Sequence, residues 1–138
     1  VIRKATHDDM AEILRLGAEF LAECPYSWVP LDAEAFAAFA GGMIEKGVIF
    51  LSDDGMIGGV ISPFYFNPAV TMAAELFWFA RSEGRQLREA LEAWGRENGA
   101  SALTCSGLTG EREPAIRKIY ARAGYLPAEV AFVKRLDA

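Results

Sequence analysis

Apolar positions along the chain fall into two periodicities that alternate. Val1 to Ala5 reads as a short strand, ended by Thr6-His7-Asp8-Asp9, in which Thr6 and Asp9 have the spacing of a capping box. Met10, Ile13, Leu14, Gly17 and Leu21 then recur at helical spacing, with Glu12, Arg15 and Glu19 mainly on the other face, which predicts a helix to about Glu23. Pro25 ends it. The loop Cys24 to Pro30 holds Tyr26 and Trp28 between prolines, and Asp32 caps a second helix through Phe36, Phe39 and Met43 to about Lys46, where Gly47 stops it. Gly41 and Gly42 weaken this helix.

The pattern then changes to strands. Val48 to Leu51 and Met56 to Phe66 are rich in β-branched and aromatic residues and flank Asp53-Asp54-Gly55, a turn signal with glycine available for positive φ. Asn67-Pro68 breaks the chain before a third strand, Val70 to Phe79, whose apolar run is interrupted only by Glu75. Leu87, Ala90, Leu91 and Trp94 follow at i, i+3, i+4 and i+7, predicting a helix with Gly99 as the residue just past its end. Ser101 to Cys105 is a further strand, Ile116, Ile119 and Tyr120 mark a last helix ended by Gly124, and Val130 to Leu136 is expected to close the sheet. The order is strand, two helices, three strands, helix, strand, helix, strand, an α/β arrangement without repeats or linkers.

With 138 residues and 52% hydrophobic content, the chain suits a single domain over 1–138 with a full core. A net charge of -5 argues against a general nucleic-acid binder, which needs a basic face to release counterions. Cys24 and Cys105 are far apart and form no Cys/His grouping, so neither a zinc site nor a redox pair is indicated, and both are expected as buried free thiols. The opening VIRKATHDDM does not read as a signal peptide, and the longest apolar stretch, Ala35 to Ile44, is too short to span a bilayer. The expectation is a cytoplasmic protein with no membrane partner.

Chemistry concentrates between Glu75 and Tyr125. An apolar strand runs into the Arg/Gly turn Arg81-Ser82-Glu83-Gly84-Arg85-Gln86, which opens a helix; unpaired N–H groups and the positive end of the helix dipole meet there, a site for an anion such as phosphate. Arg81, Arg85 and Arg88 form either a basic cluster serving that site or a solvated helix face. The turn resembles the R/Q-x-x-G-x-G/A acetyl-CoA motif of the GCN5-related N-acetyltransferases, in degenerate form, since Gln86 stands where a small residue is usual. Tyr120-Ala121-Arg122-Ala123-Gly124-Tyr125 is similar to the late Y-x-x-x-G-F/Y motif of the same family, although Glu113-Pro114 replaces the asparagine that often opens the last helix. The element order matches that fold over nearly the whole chain.

The resemblance implies a mixed, mostly antiparallel sheet with about four helices and one pair of parallel strands, Val70 to Phe79 and Ser101 to Cys105, splayed by a bulge. Acetyl-CoA is then the co-substrate, with no metal. Leu76, Phe77, Trp78 and Phe79 face its pantetheine arm, Arg81, Gly84, Arg85, Gln86 and Leu87 cradle its pyrophosphate, and Ile116 completes the cofactor contacts. The partner is an amine acceptor, and the protein a monomer or homodimer.

Acetyl transfer from a thioester to an amine requires a deprotonated amine, a polarised carbonyl and a protonated leaving thiolate. Glu75 is the candidate base, acting through water, because a carboxylate on an apolar strand can gain proton affinity by desolvation; the alternative is a strand glutamate facing solvent or an arginine. Tyr120 is the candidate acid, since a phenol of pKa about 10 stays protonated at neutral pH and can donate to a thiolate whose thiol has pKa about 8.5; its alternative is a core tyrosine. A backbone N–H near Phe77 or Trp78 serves the oxyanion. Tyr26, Trp28, Phe64, Tyr65 and Phe66 either line the acceptor side or belong to the core. Besides an enzyme, the same features fit a catalytically impaired acyl-CoA-binding or interaction module.

Overall fold

The computed structural model describes residues 1–107 and 112–137. The chain divides into two compact units, Val1–Ser106 and Gly107–Ala138. In the first, β1 (Arg3–Lys4) leads through a short 3-10 turn into α1 (Met10–Glu23), followed by α2 (Ala33–Lys46), β2 (Val48–Leu51), β3 (Gly55–Phe64), β4 (Asn67–Ala80), α3 (Gly84–Glu97) and β5 (Ala102–Thr104). The second holds α4 (Glu113–Arg122).

The five strands lie in the order β1-β2-β3-β4-β5, antiparallel except for the parallel pair β4–β5. Both faces of this sheet are covered, which explains why β2 is buried at all four positions and does not alternate with polar residues. Ile49, Leu51 and Met56 pack with Ile13 and Leu16 of α1 and Ala40 and Met43 of α2. Val48, Phe50 and Ile57 pack on the other face with Leu87, Leu91 and Trp94 of α3. Full burial of Leu87 and Leu91 contributes about 2 kcal/mol each from apolar area alone. Leu16, which the sequence reading left off the inner face of α1, is fully buried there.

Local chemistry places the helix ends where the sequence predicts them. The Asp9 carboxylate accepts the Thr6 N–H at 2.8 Å and is held well below the usual carboxylate range, first by its hydrogen bonds with Arg3. Asp32 accepts from the Ala35 N–H at 3.0 Å and caps α2. Gly99 and Gly124 take positive φ, 79° and 85°, just past α3 and α4, a conformation that favours glycine. One predicted element is not formed: Val130 to Leu136 carries no strand assignment. A strand exists through its ladder, and apolar alternation cannot supply a partner; Val130, Phe132, Val133 and Leu136 are exposed.

Candidate active site on strand β4

Strand β4 changes register beside Glu75. Phe77 pairs with Gly58 and Glu75 with Gly59, so Leu76 has no opposite number and forms a β-bulge. Gly58 permits this locally, because the Phe77 ring lies over it where any side chain would stand. Leu76 itself is 47% exposed.

The same point ends the pairing with β5. Met72, Ala73 and Ala74 match Ala102, Leu103 and Thr104, and the Ser101 N–H donates to the Thr71 carbonyl at 2.8 Å. Beyond Ala74, β4 runs on to Ala80 while β5 has finished. The β5-facing backbone groups of the Leu76–Ala80 stretch therefore lie past the end of their neighbour, as on an edge strand.

Glu75 sits at the fork. Directly opposed residues share a face, so Glu75 lies on the side of Gly59, which is the side of Leu91 and α3. Its carboxyl is half-buried, and burial pushes its pKa up to about 7 while the Ser106 backbone N–H, just after β5, opposes the rise. Such a group exchanges its proton near neutral pH, which suits a general base.

At its far end β4 enters α3. Asp54, in the β2–β3 turn, accepts the Ser82 N–H at 3.1 Å and the Ser82 hydroxyl at 2.8 Å through Oδ1, and its carbonyl accepts the Arg81 N–H at 3.4 Å. Glu83, the N-cap residue, adopts the left-handed conformation, φ 58° and ψ 22°, and its side chain makes no capping hydrogen bond. Leu87 donates its N–H to the Glu83 carbonyl and is fully buried, so it packs the core and leaves the helix-start donors to Gly84, Arg85 and Gln86.

The chain matches solved acetyltransferase structures over almost all of its length. A Trypanosoma brucei acetyltransferase is 17% identical with a TM-score of 0.69, covering 99% of each chain. The aminoglycoside N-acetyltransferase AAC(6′)-Iy, in complex with the bisubstrate analogue CoA-S-monomethyl-acetylneamine, is 17% identical with a TM-score of 0.71, over 98% of this chain and 96% of that one. The fold is that of the GCN5-related N-acetyltransferases. A transcriptional regulator of Bacillus halodurans C-125 shares it at 16% identity and a TM-score of 0.70, over 99% of each chain. No protein-family model and no curated protein matches the sequence.

Within this acetyltransferase fold, several predicted residues stand elsewhere than expected. Arg81 turns to α1, its guanidinium 2.9 Å from Glu23 and 3.4 Å from Glu19 and 5.2 Å from the centre of the Phe79 ring, which stacks on Phe20 at 5.5 Å. Arg88 is buried against Glu92 at 3.1 Å. The expected arginine cluster therefore does not form, because Glu19 and Glu23 of α1 claim Arg81 and Glu92, one turn on in α3, claims Arg88; Arg85 stays exposed, 3.7 Å from Glu89. Trp78 packs with the α3 core and Phe77 with the α1/α2 core, so their contribution at the fork is backbone.

The aromatic residues separate into two places. Phe64, Tyr65 and Phe66 cluster at the β3–β4 turn, with ring centres 4.5 to 5.5 Å apart. Phe64 pairs with Asn67, eight positions from Glu75 on an extended strand, about 26 Å at roughly 3.3 Å per residue. Phe64 and Tyr65 are thus not brought to the fork. Tyr26 and Trp28, both part-exposed, follow the end of α1 that Arg81 holds. In the second unit Tyr120 is half-buried on α4, its ring 5.1 Å from that of Tyr125, and Ile116 lies over Gly107. Neither cysteine is in a disulfide; Cys24 is buried and Cys105 half-buried. Among the described residues, no group of three or more His, Cys, Asp or Glu could hold a metal ion.

Proposed function

We propose that the protein transfers an acetyl group from acetyl-CoA directly to a primary amine. The observation that carries this reading is the half-buried Glu75, with its pKa near 7, at the bulge where β4 outruns β5. Pantetheine is an extended chain with amide groups, and the edge of β4 past the end of β5 would meet it with backbone N–H and C=O groups at Leu76 to Phe79. The N–H groups of Gly84, Arg85 and Gln86 face the pyrophosphate.

Glu75, through a water, takes a proton from the acceptor ammonium. The free amine attacks the thioester carbonyl, forming a C–N bond, and the oxyanion is met by a backbone N–H near Phe77 or Trp78. As the C–S bond breaks, the Tyr120 hydroxyl gives its proton to the departing thiolate and its phenolate takes the remaining extra proton from the acylated nitrogen, yielding CoA and the neutral acetylated amine. AAC(6′)-Iy is named with an analogue joining CoA to an acetylated aminoglycoside fragment, so neamine-type amines are the first acceptors to test.

A second reading, an acyl-CoA-binding or interaction module, is favoured by Gln86 in the place of a small residue and by the fold's occurrence in a transcriptional regulator. Thermal melts with acetyl-CoA and with CoA, followed by thiol release on addition of neamine and polyamines, separate the two. A ligand at a hundred times its Kd adds about 2.7 kcal/mol of stability. Stabilisation with thiol release supports the enzyme, stabilisation without it for any amine supports the module, and no stabilisation refutes both.

A further inference from the structure

We infer that Asp54 is a positioning residue for pyrophosphate recognition, acting through Ser82 on the start of α3; this rests on the acetyl-CoA reading above. Asp54 lies immediately before Gly55, which pairs with Ala80 at the last rung of the β3–β4 ladder. Its carboxylate and carbonyl continue that ladder onto the loop, fixing the N–H groups of Arg81 and Ser82 and the Ser82 hydroxyl. The chain then has one residue, Glu83, in which to turn into α3, and it does so in the left-handed region, which costs a non-glycine residue about 1 kcal/mol.

The placement of this carboxylate matters chemically. An aspartate at the N-cap itself would accept from the N–H groups of the first turn and compete with an anionic ligand for them. Asp54 instead binds earlier in the loop, and the side chain of the N-cap residue Glu83 makes no capping hydrogen bond to α3. The loop is therefore held by a carboxylate while the donors of Gly84, Arg85 and Gln86 remain directed at a ligand. The role requires an acceptor oxygen at this position and not its charge, so asparagine can fill it.

Binding of CoA measured by calorimetry, and of pantetheine by NMR titration, tests this on the whole chain, with urea unfolding of each variant as a control. Asp54→Ala is expected to weaken CoA binding about tenfold, and pantetheine, which lacks the pyrophosphate, less than twofold. Asp54→Asn keeps the acceptor and is expected to stay within threefold of the wild type for CoA. Ser82→Ala, which removes only the hydroxyl donor, is expected to lose about threefold for CoA and nothing for pantetheine, and decides the matter if Asp54→Ala fails to fold. Equal weakening of both ligands, or none for CoA, overturns the inference while leaving the acetyl-CoA reading intact. Absence of CoA binding by the wild type overturns both.

Discussion

Replacing Glu75 by glutamine gives a measurement that needs no knowledge of the acceptor. In the folded protein burial keeps the Glu75 carboxyl protonated to about pH 7, whereas an ordinary glutamate loses its proton near 4.5. Between those values the folded state binds more protons than the unfolded one, so stability falls as pH rises through this window. One pKa unit corresponds to 1.36 kcal/mol, so the interval corresponds to about 3 kcal/mol, and solvent reaching a half-buried group reduces this to about 2 kcal/mol. Glutamine has no charge to desolvate, and its amide oxygen can still accept the Ser106 N–H. Urea unfolding at pH 5, 6, 7, 8 and 9 is the assay, and the wild-type-to-mutant difference cancels the other titrating groups. Relative to pH 5, the glutamine variant is expected to gain about 2 kcal/mol over the wild type by pH 8 to 9, with most of the change between pH 5 and 7 and a plateau above. A difference independent of pH refutes the desolvation argument. A difference that favours the wild type as pH rises means the carboxylate is stabilised as an ion, and so is unsuited to the base role.

The same substitution lowers kcat/KM for acetyl transfer by about 10²-fold and removes the activity rise centred near pH 7, while calorimetry shows the CoA Kd changed less than threefold. Arg81→Ala leaves the CoA Kd within threefold, because Arg81 is engaged by Glu19 and Glu23, and lowers stability only slightly in urea unfolding, since these ion pairs are exposed. Tyr120→Phe lowers kcat and kcat/KM together by about 10²-fold, read by thiol release, with little change in melting temperature since the ring that meets Tyr125 is kept.

What the sequence made legible follows from how local each signal is. The Asp32 cap, the Leu87-Leu91-Trp94 face and the glycines past α3 and α4 each act within a few residues, and each stands where the sequence put it; the turn at Asp53-Asp54 does too, but Gly55 opens β3 and does not take the positive φ expected of it. Arg81 could not be read this way: the carboxylates that hold it lie 58 and 62 residues away, on a helix whose docking the local sequence does not encode. Phe64 and Tyr65 share composition with a substrate pocket, but the length of β4 separates them from Glu75. Asp54 was visible only as a turn former; its bonds to Ser82 depend on the β3–β4 register. Val130 to Leu136 has the right alternation for a strand, yet strand formation is decided by a partner. The bulge at Leu76 was expected from the family resemblance, and no residue of the run Glu75 to Phe79 marks its position. It is located by Gly58 and Gly59 on the neighbouring strand.

The geometry of the fork reduces to a mismatch in length. β4 has fourteen residues and β5 three, so most of one edge of β4 lies beyond its parallel neighbour. A strand edge that outruns its neighbour invites pairing with an extended chain, and the bulge at Leu76 bends this one where β5 stops. Glu75 is the last residue before the bend, so it keeps the orientation set by its pairing with Gly59 while the residues after it follow a new register. The strand's polar edge and its one ionisable side chain are thereby separated by a single residue. A ligand that adds itself to the edge as a strand must end its chain next to that carboxyl. If the bulge were removed, Glu75 and Phe77 would share a face, whereas here Glu75 lies on the α3 side and Phe77 on the α1/α2 side, and the strand would run straight past β5 with no change of direction to mark where an added chain should stop. The position of the Glu75 carboxyl is thus set by the register of β4 on β3 and not by the side chain of Leu76.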